Sequence, residues 1–293
     1  MSNKFSFFLM TFKGYYVLEK YLESFGTSNL DCVIIGRDNH IDCDYFNEIK
    51  ELCQRNNIVY HERSSEINLQ SDYAFSISWR WMINEKVKLI VLHDSLLPRY
   101  RGFAPLVNSL INKEKQIGVT ALFASHEYDK GDIIAQKGVS INYPIKIKKA
   151  IDLLLPVYSN LVNEIATKIL NNIPLESISQ NDFSASYSLW RDEQDYEINW
   201  LNDSDTIKRF IDAVGDPYSG ASTYIEERKV RILDAESEND VYIENRTPGK
   251  IIFIKEGKPV IVCGEGLLSI EKMIDDSTRD NLIPFQKFKV RFK

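Results

Sequence analysis

No run in these 293 residues approaches the roughly 18 uninterrupted apolar positions that a membrane-spanning helix needs. The apolar opening run, 5–10, has Lys4 before it and Lys13 behind it and lacks a small-residue cleavage site. It is therefore expected to be a buried strand of a cytoplasmic protein and not a signal peptide. Cysteine is sparse, and Cys32, Cys43, Cys53 and Cys263 show none of the paired spacings that hold zinc. Without a secretory context a disulfide framework has no basis, so four inert thiols and no metal are expected. Positive charge is also short, with Lys+Arg 36 against Asp+Glu 42 and a net charge of −6. That balance disfavours a dedicated nucleic-acid binder, which needs clustered Lys and Arg. The local group Lys146, Lys148 and Lys149 reads as a solvated helix start. No Gly-x-Gly-x-x-Gly follows the first strand, which argues against a dinucleotide-dependent oxidoreductase. Internal repeats and low-complexity stretches are missing as well.

What is present is 44% hydrophobic residues, enough for one sizeable core and a smaller second one. Apolar runs at 5–10, 32–35, 74–77 and 89–92 are separated by stretches of helical periodicity at 16–25 and 45–56. Strands alternating with helices predict an α/β, Rossmann-like domain with a mostly parallel sheet. Such sheets bind ligands outside the carboxyl ends of their strands, here near 10–14, 78–83 and 93–102. Two further strands at 119–124 and 133–140 precede a long amphipathic helix over 147–169. The stretch 171–195 is polar and irregular. A helix at 204–214 then leads into short strands punctuated by glycines, the pattern of a small OB-like β-barrel. The expected division is a catalytic domain at 1–180, a linker at 181–203 and a carboxyl-terminal domain at 204–293.

Two clusters carry chemistry. The first, His93-Asp94-Ser95-Leu96-Leu97-Pro98-Arg99-Tyr100-Arg101-Gly102, follows an apolar strand directly. A histidine at a strand's carboxyl end faces the ligand crevice and can act as base or hydrogen-bond donor near neutrality. The second, Tyr128-Asp129-Lys130-Gly131-Asp132-Ile133, follows Gly118-Val119-Thr120 and reads as a turn holding two carboxylates. A carboxylate beside an imidazole fixes its tautomer and raises its basicity, the pairing used throughout acyl transfer.

The order His-x-Ser-Leu-Leu-Pro-x-Tyr-Arg-Gly, Gly-Val-Thr, Asp-x-Gly-Asp-Ile resembles the formyltetrahydrofolate-dependent formyltransferase family. The resemblance continues through Ile198-Asn199-Trp200, Pro217-Tyr218-Ser219-Gly220-Ala221, Pro248-Gly249-Lys250-Ile251 and Cys263-Gly264-Glu265-Gly266, similar to the carboxyl-terminal region of methionyl-tRNA formyltransferase and sugar N-formyltransferases. It implies His93 and Asp129 as catalytic residues and N10-formyltetrahydrofolate as co-substrate, without a metal. It also implies an asparagine two positions before the histidine, where this chain has Val91. Ser78, Asn84, Ser95 and Asn108 are polar residues near enough in the chain to be candidates for the missing donor. The folate loop maps onto Trp79, Arg80, Trp81, Met82 and Ile83, with Tyr128 and Asp132 completing the pocket. The alternative reading of Trp79 and Trp81 is a hydrophobic corner.

Among acceptors, the acidic balance, which extends through 180–197, favours a nucleotide-linked amino sugar over methionyl-tRNA. Lys13 at a βα turn is placed to meet a diphosphate, and Tyr100, Arg101 and Phe103 to contact the acceptor. A dTDP-linked 3- or 4-amino-dideoxy sugar and a UDP-linked 4-amino precursor of a pseudaminic-type acid, for surface glycan synthesis, are both compatible. The resemblance further implies a homodimer. The rival readings are a methionyl-tRNA formyltransferase, a formyltetrahydrofolate hydrolase, and an inactive folate or sugar-nucleotide binder.

Overall fold

The computed structural model describes residues 3–38, 41, 43–65, 67–83 and 86–293. It has two compact units. The first takes in the chain to Leu106, Lys115–Ile141 and Ile151–Leu189, and the second Val107–Glu114, Asn142–Ala150 and Trp190–Lys293.

The first unit is built on strands β1 (Phe5–Leu9), β2 (Leu30–Ile35), β3 (Tyr60–Glu62), β4 (Tyr73–Ile77), β5 (Lys88–His93), β7 (Gln116–Phe123) and β8 (Ile133–Ser140), ordered β3-β2-β1-β4-β5-β7-β8. The first five are parallel, and β7 and β8 turn antiparallel at the edge. All five residues of β1 are buried, because a central parallel strand is covered on both faces. That is why its sequence is a continuous apolar run broken only by Ser6. Helix α1 (Thr11–Phe25) buries Gly14, Val17, Leu18 and Tyr21, the spacing of one helical face. Its Tyr21 ring meets Phe7 edge-on at 5.0 Å. Helix α2 (Phe46–Arg55) buries Phe46, Ile49, Leu52 and Cys53 in the same rhythm. A two-strand ribbon pairs β6 (Arg101–Gly102) with β9 (Tyr187–Ser188), and α4 (Ile147–Leu170) belongs to this unit from Ile151 on, whereas α3 (Pro105–Ile111) belongs to the second unit from Val107 on.

The second unit holds α5 (Ser204–Val214) and a five-stranded antiparallel sheet, ordered β10-β11-β14-β13-β12: β10 (Ala221–Ile225), β11 (Arg228–Glu238), β14 (Leu267–Asp275), β13 (Lys258–Val262) and β12 (Ile251–Lys255). Asp203 caps α5 by accepting the Thr206 N–H at 2.8 Å. Ile207, Ile211 and Val214 form its buried stripe. The mixed α/β class and the separate small β domain are thus as expected from the sequence. No helix among the described residues is long and apolar enough to cross a membrane.

Candidate active site

His93 ends β5, and its side chain is almost fully enclosed. Nε2 lies 2.8 Å from the Tyr100 carbonyl oxygen, which only accepts, so Nε2 carries a proton. Nδ1 lies 3.4 Å from Asp129 Oδ1, while Asp129 Oδ2 accepts the Gly102 N–H at 2.8 Å. One carboxylate therefore holds both the imidazole and the loop that follows it. The two chemical clusters, remote in sequence, meet here.

Both halves of this arrangement sit on unusual backbone. Tyr100 (φ 60°) and Asp129 (φ 55°) adopt the left-handed conformation, which costs a side-chain-bearing residue about 1–2 kcal/mol. Their surroundings hold them there. The Tyr100 N–H donates to Ser186 Oγ at 2.9 Å, and the Arg101 and Phe103 N–H groups donate to the Ser186 and Ser188 carbonyls. At the other turn, Gln180 Nε2 donates to the Asp129 carbonyl at 2.6 Å and the Gly131 carbonyl at 2.8 Å. A Cβ at position 131 would lie 1.7 Å from the Phe123 carbonyl oxygen, so only glycine lets the turn close against β7. Thr120, opposite His93 in the β5–β7 register, donates from Oγ1 to the Ser95 carbonyl at 2.6 Å. The same oxygen accepts from Gln136 Nε2 at 2.7 Å, which also reaches the Leu97 carbonyl at 3.0 Å.

Residues expected at the acceptor lie in different places. Phe103 and Tyr128 are both partly exposed and meet ring to ring, with centroids 5.6 Å apart. Tyr100 is buried and supplies its carbonyl to His93. Arg101 is only 1% exposed, and its guanidinium is committed to Gln180 Oε1 at 3.0 Å, Asp182 at 2.7 Å and the Tyr187 hydroxyl at 3.2 Å. Burial opposes the Arg101 charge, but the bonds to Asp182 and Tyr187 outweigh it and raise its pKa. The same ion pair lowers that of Asp182. Lys13 is likewise buried, paired with Asp94, which also accepts the Tyr158 hydroxyl. A buried lysine needs such a partner to offset the solvation it has lost.

The folate residues divide too. Trp79 and Ile83 pack against the buried cluster of Phe8, Cys32, Ile34 and Ala74, the hydrophobic-corner arrangement. Trp79 nonetheless leaves its indole N–H buried with no hydrogen-bond partner among the described residues. Trp81 lies beneath the Arg63 guanidinium at 3.8 Å, and Arg80 pairs with the buried Asp38. Met82 is half exposed, and Asp132 lies at the surface. Of the candidates for the missing amide, Ser78 accepts from Thr11 Oγ1, Ser95 donates to the Arg99 carbonyl and Asn108 accepts from Arg191. Asn84 lies outside the described residues.

Sequence reasoning missed Gln180, Gln136, Asp94 and Ser76. Gln180 lies in the polar, irregular stretch 171–195, and Ser76 is hidden inside an apolar strand run. Asp94 and Gln136 carry no spacing signal of their own.

The family model described as "Formyl transferase" matches residues 49–149, and "Formyl transferase, C-terminal domain" matches 191–280, together more than half of the chain. Among solved structures, WlaRD, a sugar 3N-formyl transferase crystallised in the presence of dTDP and 5-N-formyl-THF, superposes with TM-score 0.69 at 19% identity, covering 92% of this chain and 97% of that one. HypX from Aquifex aeolicus in complex with tetrahydrofolic acid gives TM-score 0.64 at 18% identity over 94% of this chain, which spans only 44% of HypX. A methionyl-tRNA formyltransferase from Clostridium thermocellum gives 0.57 at 18% identity, covering 83% of this chain and 96% of that one.

Proposed function

We propose, from the fact that this chain belongs to the formyl transferase family, that it moves a formyl group from N10-formyltetrahydrofolate to the amine of a nucleotide-linked amino sugar. The observation that carries the reading is the His93–Asp129 pair, joined at 3.4 Å at the carboxyl end of β5. A chain kept only for binding would not need an imidazole oriented by a carboxylate.

The co-substrate supplies a formyl carbon bonded to a nitrogen able to leave. In the reaction the acceptor amine places its lone pair on that carbon, and the carbonyl π pair moves to oxygen. As the oxygen pair returns, the carbon–nitrogen bond breaks with its electrons on the folate nitrogen. The amine loses one proton and the folate nitrogen gains one, so the exchange balances. His93 is the group that moves this proton, once the Tyr100 carbonyl is exchanged for the reacting centre; catalytic hydrogen bonds of a free enzyme often rearrange in this way. Asp129 steadies the ring as it becomes positive.

Trp79, Arg80, Trp81, Met82, Ile83, Tyr128 and Asp132 would hold the folate. The unmatched buried N–H of Trp79 fits a ligand rich in acceptors. Phe103 beside Tyr128 offers an aromatic wall to the acceptor. The sugar is favoured by the net charge of −6 and by the likeness to WlaRD, a sugar 3N-formyl transferase crystallised in the presence of dTDP. A cytoplasmic homodimer acting in surface glycan synthesis, with domains at 1–180 and 204–293, belongs to the same proposal. The test is incubation with N10-formyltetrahydrofolate and a panel of dTDP- and UDP-linked 3- and 4-amino sugars, reading the mass gain of one formyl group. Transfer to charged initiator tRNA alone would replace the acceptor, and transfer to nothing would remove the reading.

A further inference from the structure

Formyl transfer puts negative charge on the carbonyl oxygen, and a nearby donor is needed to hold it. Strand register defines which side chains share the face of His93. In parallel and antiparallel pairs alike, registered residues point to the same side. Val91 precedes His93 by two positions, and its partners are Ser76 on β4 and Leu122 on β7. His93 itself is registered with Thr120. The polar members of this patch are thus Thr120 and Ser76. The Thr120 hydroxyl gives its proton to the Ser95 carbonyl. Ser76 is only 5% exposed, and its hydroxyl forms no hydrogen bond among the described residues.

A hydroxyl that no protein group engages is free to donate to a ligand that reaches it. Its place is suited to that. One strand spacing across and two residues along put the Ser76 and His93 Cα atoms roughly 8 Å apart. That span accommodates a carbonyl group between a short hydroxyl and a longer imidazole. The side chain lying between them along β5 is Val91, which offers no donor.

We propose that Ser76 is a catalytic residue, whose Oγ–H donates to the formyl oxygen as it becomes negative, doing from β4 what an amide at position 91 would do from β5. The proton stays on Ser76 throughout, so no further group is required. The inference rests on the formyl-transfer reading above. It also gives Val91 a meaning: with the donor on the neighbouring strand, an apolar residue at 91 packs against it.

The experiment measures steady-state transfer to the best acceptor of the panel for wild type, Ser76→Ala, Val91→Asn and the double variant, with melting curves for each. Ser76→Ala is expected to lower kcat by about a hundredfold, the usual cost of one oxyanion donor, with KM for both substrates held within about twofold and no loss of melting temperature. Adding Val91→Asn to it should restore kcat by at least about tenfold, a rescue that a packing defect would not show. Wild-type kcat in Ser76→Ala, with His93→Ala inactive, would overturn the assignment and leave the reaction standing. No transfer by the wild-type protein would remove the reaction and this inference together.

Discussion

Replacing Asp129 by asparagine changes one oxygen for an amide while keeping volume and shape. The retained oxygen can still accept the Gly102 N–H, now at 2.8 Å from Oδ2, so the loop keeps its anchor. What is lost is the negative charge 3.4 Å from His93 Nδ1. At an effective dielectric constant of about 20, Coulomb's law gives a gross attraction of about 5 kcal/mol between that charge and a positive ring. Hydrogen bonds to charged groups contribute a net of about 1.5–3 kcal/mol after competing solvation. Because the ring is positive only while it carries the extra proton, most of that difference falls on the barrier. Some 3 kcal/mol corresponds to about a hundredfold in rate. We expect Asp129→Asn to lower kcat by at least about a hundredfold with a melting temperature within a few degrees of wild type, measured by formyl transfer and by thermal melts on one preparation. His93→Ala should be at least as slow. Near wild-type turnover in both would refute the dyad.

Gln180→Leu leaves the carbonyls of Asp129 and Gly131 without their donor and strips Arg101 of one acceptor; a stability loss of about 2 kcal/mol and a drop in kcat larger than any change in KM are expected, checked by denaturant titration and kinetics. Trp79→Phe removes a buried N–H that has no partner among the described residues, so the apoprotein should melt no lower than wild type by more than a few degrees, whereas KM for the folate should rise several-fold; an unchanged KM would detach Trp79 from the donor site. The Asp275 carboxyl is pulled down to about 2 by the N–H of Thr278 and by Arg228. Its folded value lies below its unfolded one, so its stabilising effect is complete above about pH 4 and fades as pH falls toward 2. Asp275→Asn should therefore melt below wild type at pH 7 and converge with it near pH 2.

How much of this was legible depended on whether a residue's neighbours were local. The strands β1, β2, β4 and β5 announced themselves because both faces of a parallel sheet are covered, which forces continuous apolar runs. Helix α5 matched its sequence bounds because its buried stripe and its cap lie within one stretch of chain. The dyad was legible through its motifs and through strand-end placement, not through any local pattern joining residues 93 and 129. Strand β3, with His61 and Glu62 in three residues, carries no alternation long enough to read. The stretch 171–195 looked like a tether because its bonds are to backbone atoms some eighty residues earlier in the chain, at Tyr100, Arg101 and Phe103. Lys13 was expected to meet a diphosphate and Arg101 the acceptor, and long cations are seldom enclosed. Their burial beside Asp94, and beside Gln180 and Asp182, has no local signal in the sequence.

The ribbon formed by Arg101–Gly102 with Tyr187–Ser188 orders events during synthesis. His93 and Asp129 leave the ribosome well before the segment that fastens their two turns, so a nascent chain halted at the end of α4 would possess both side chains without their alignment. The alignment would arrive late and abruptly, when Gln180, Ser186 and Ser188 reach the two turns.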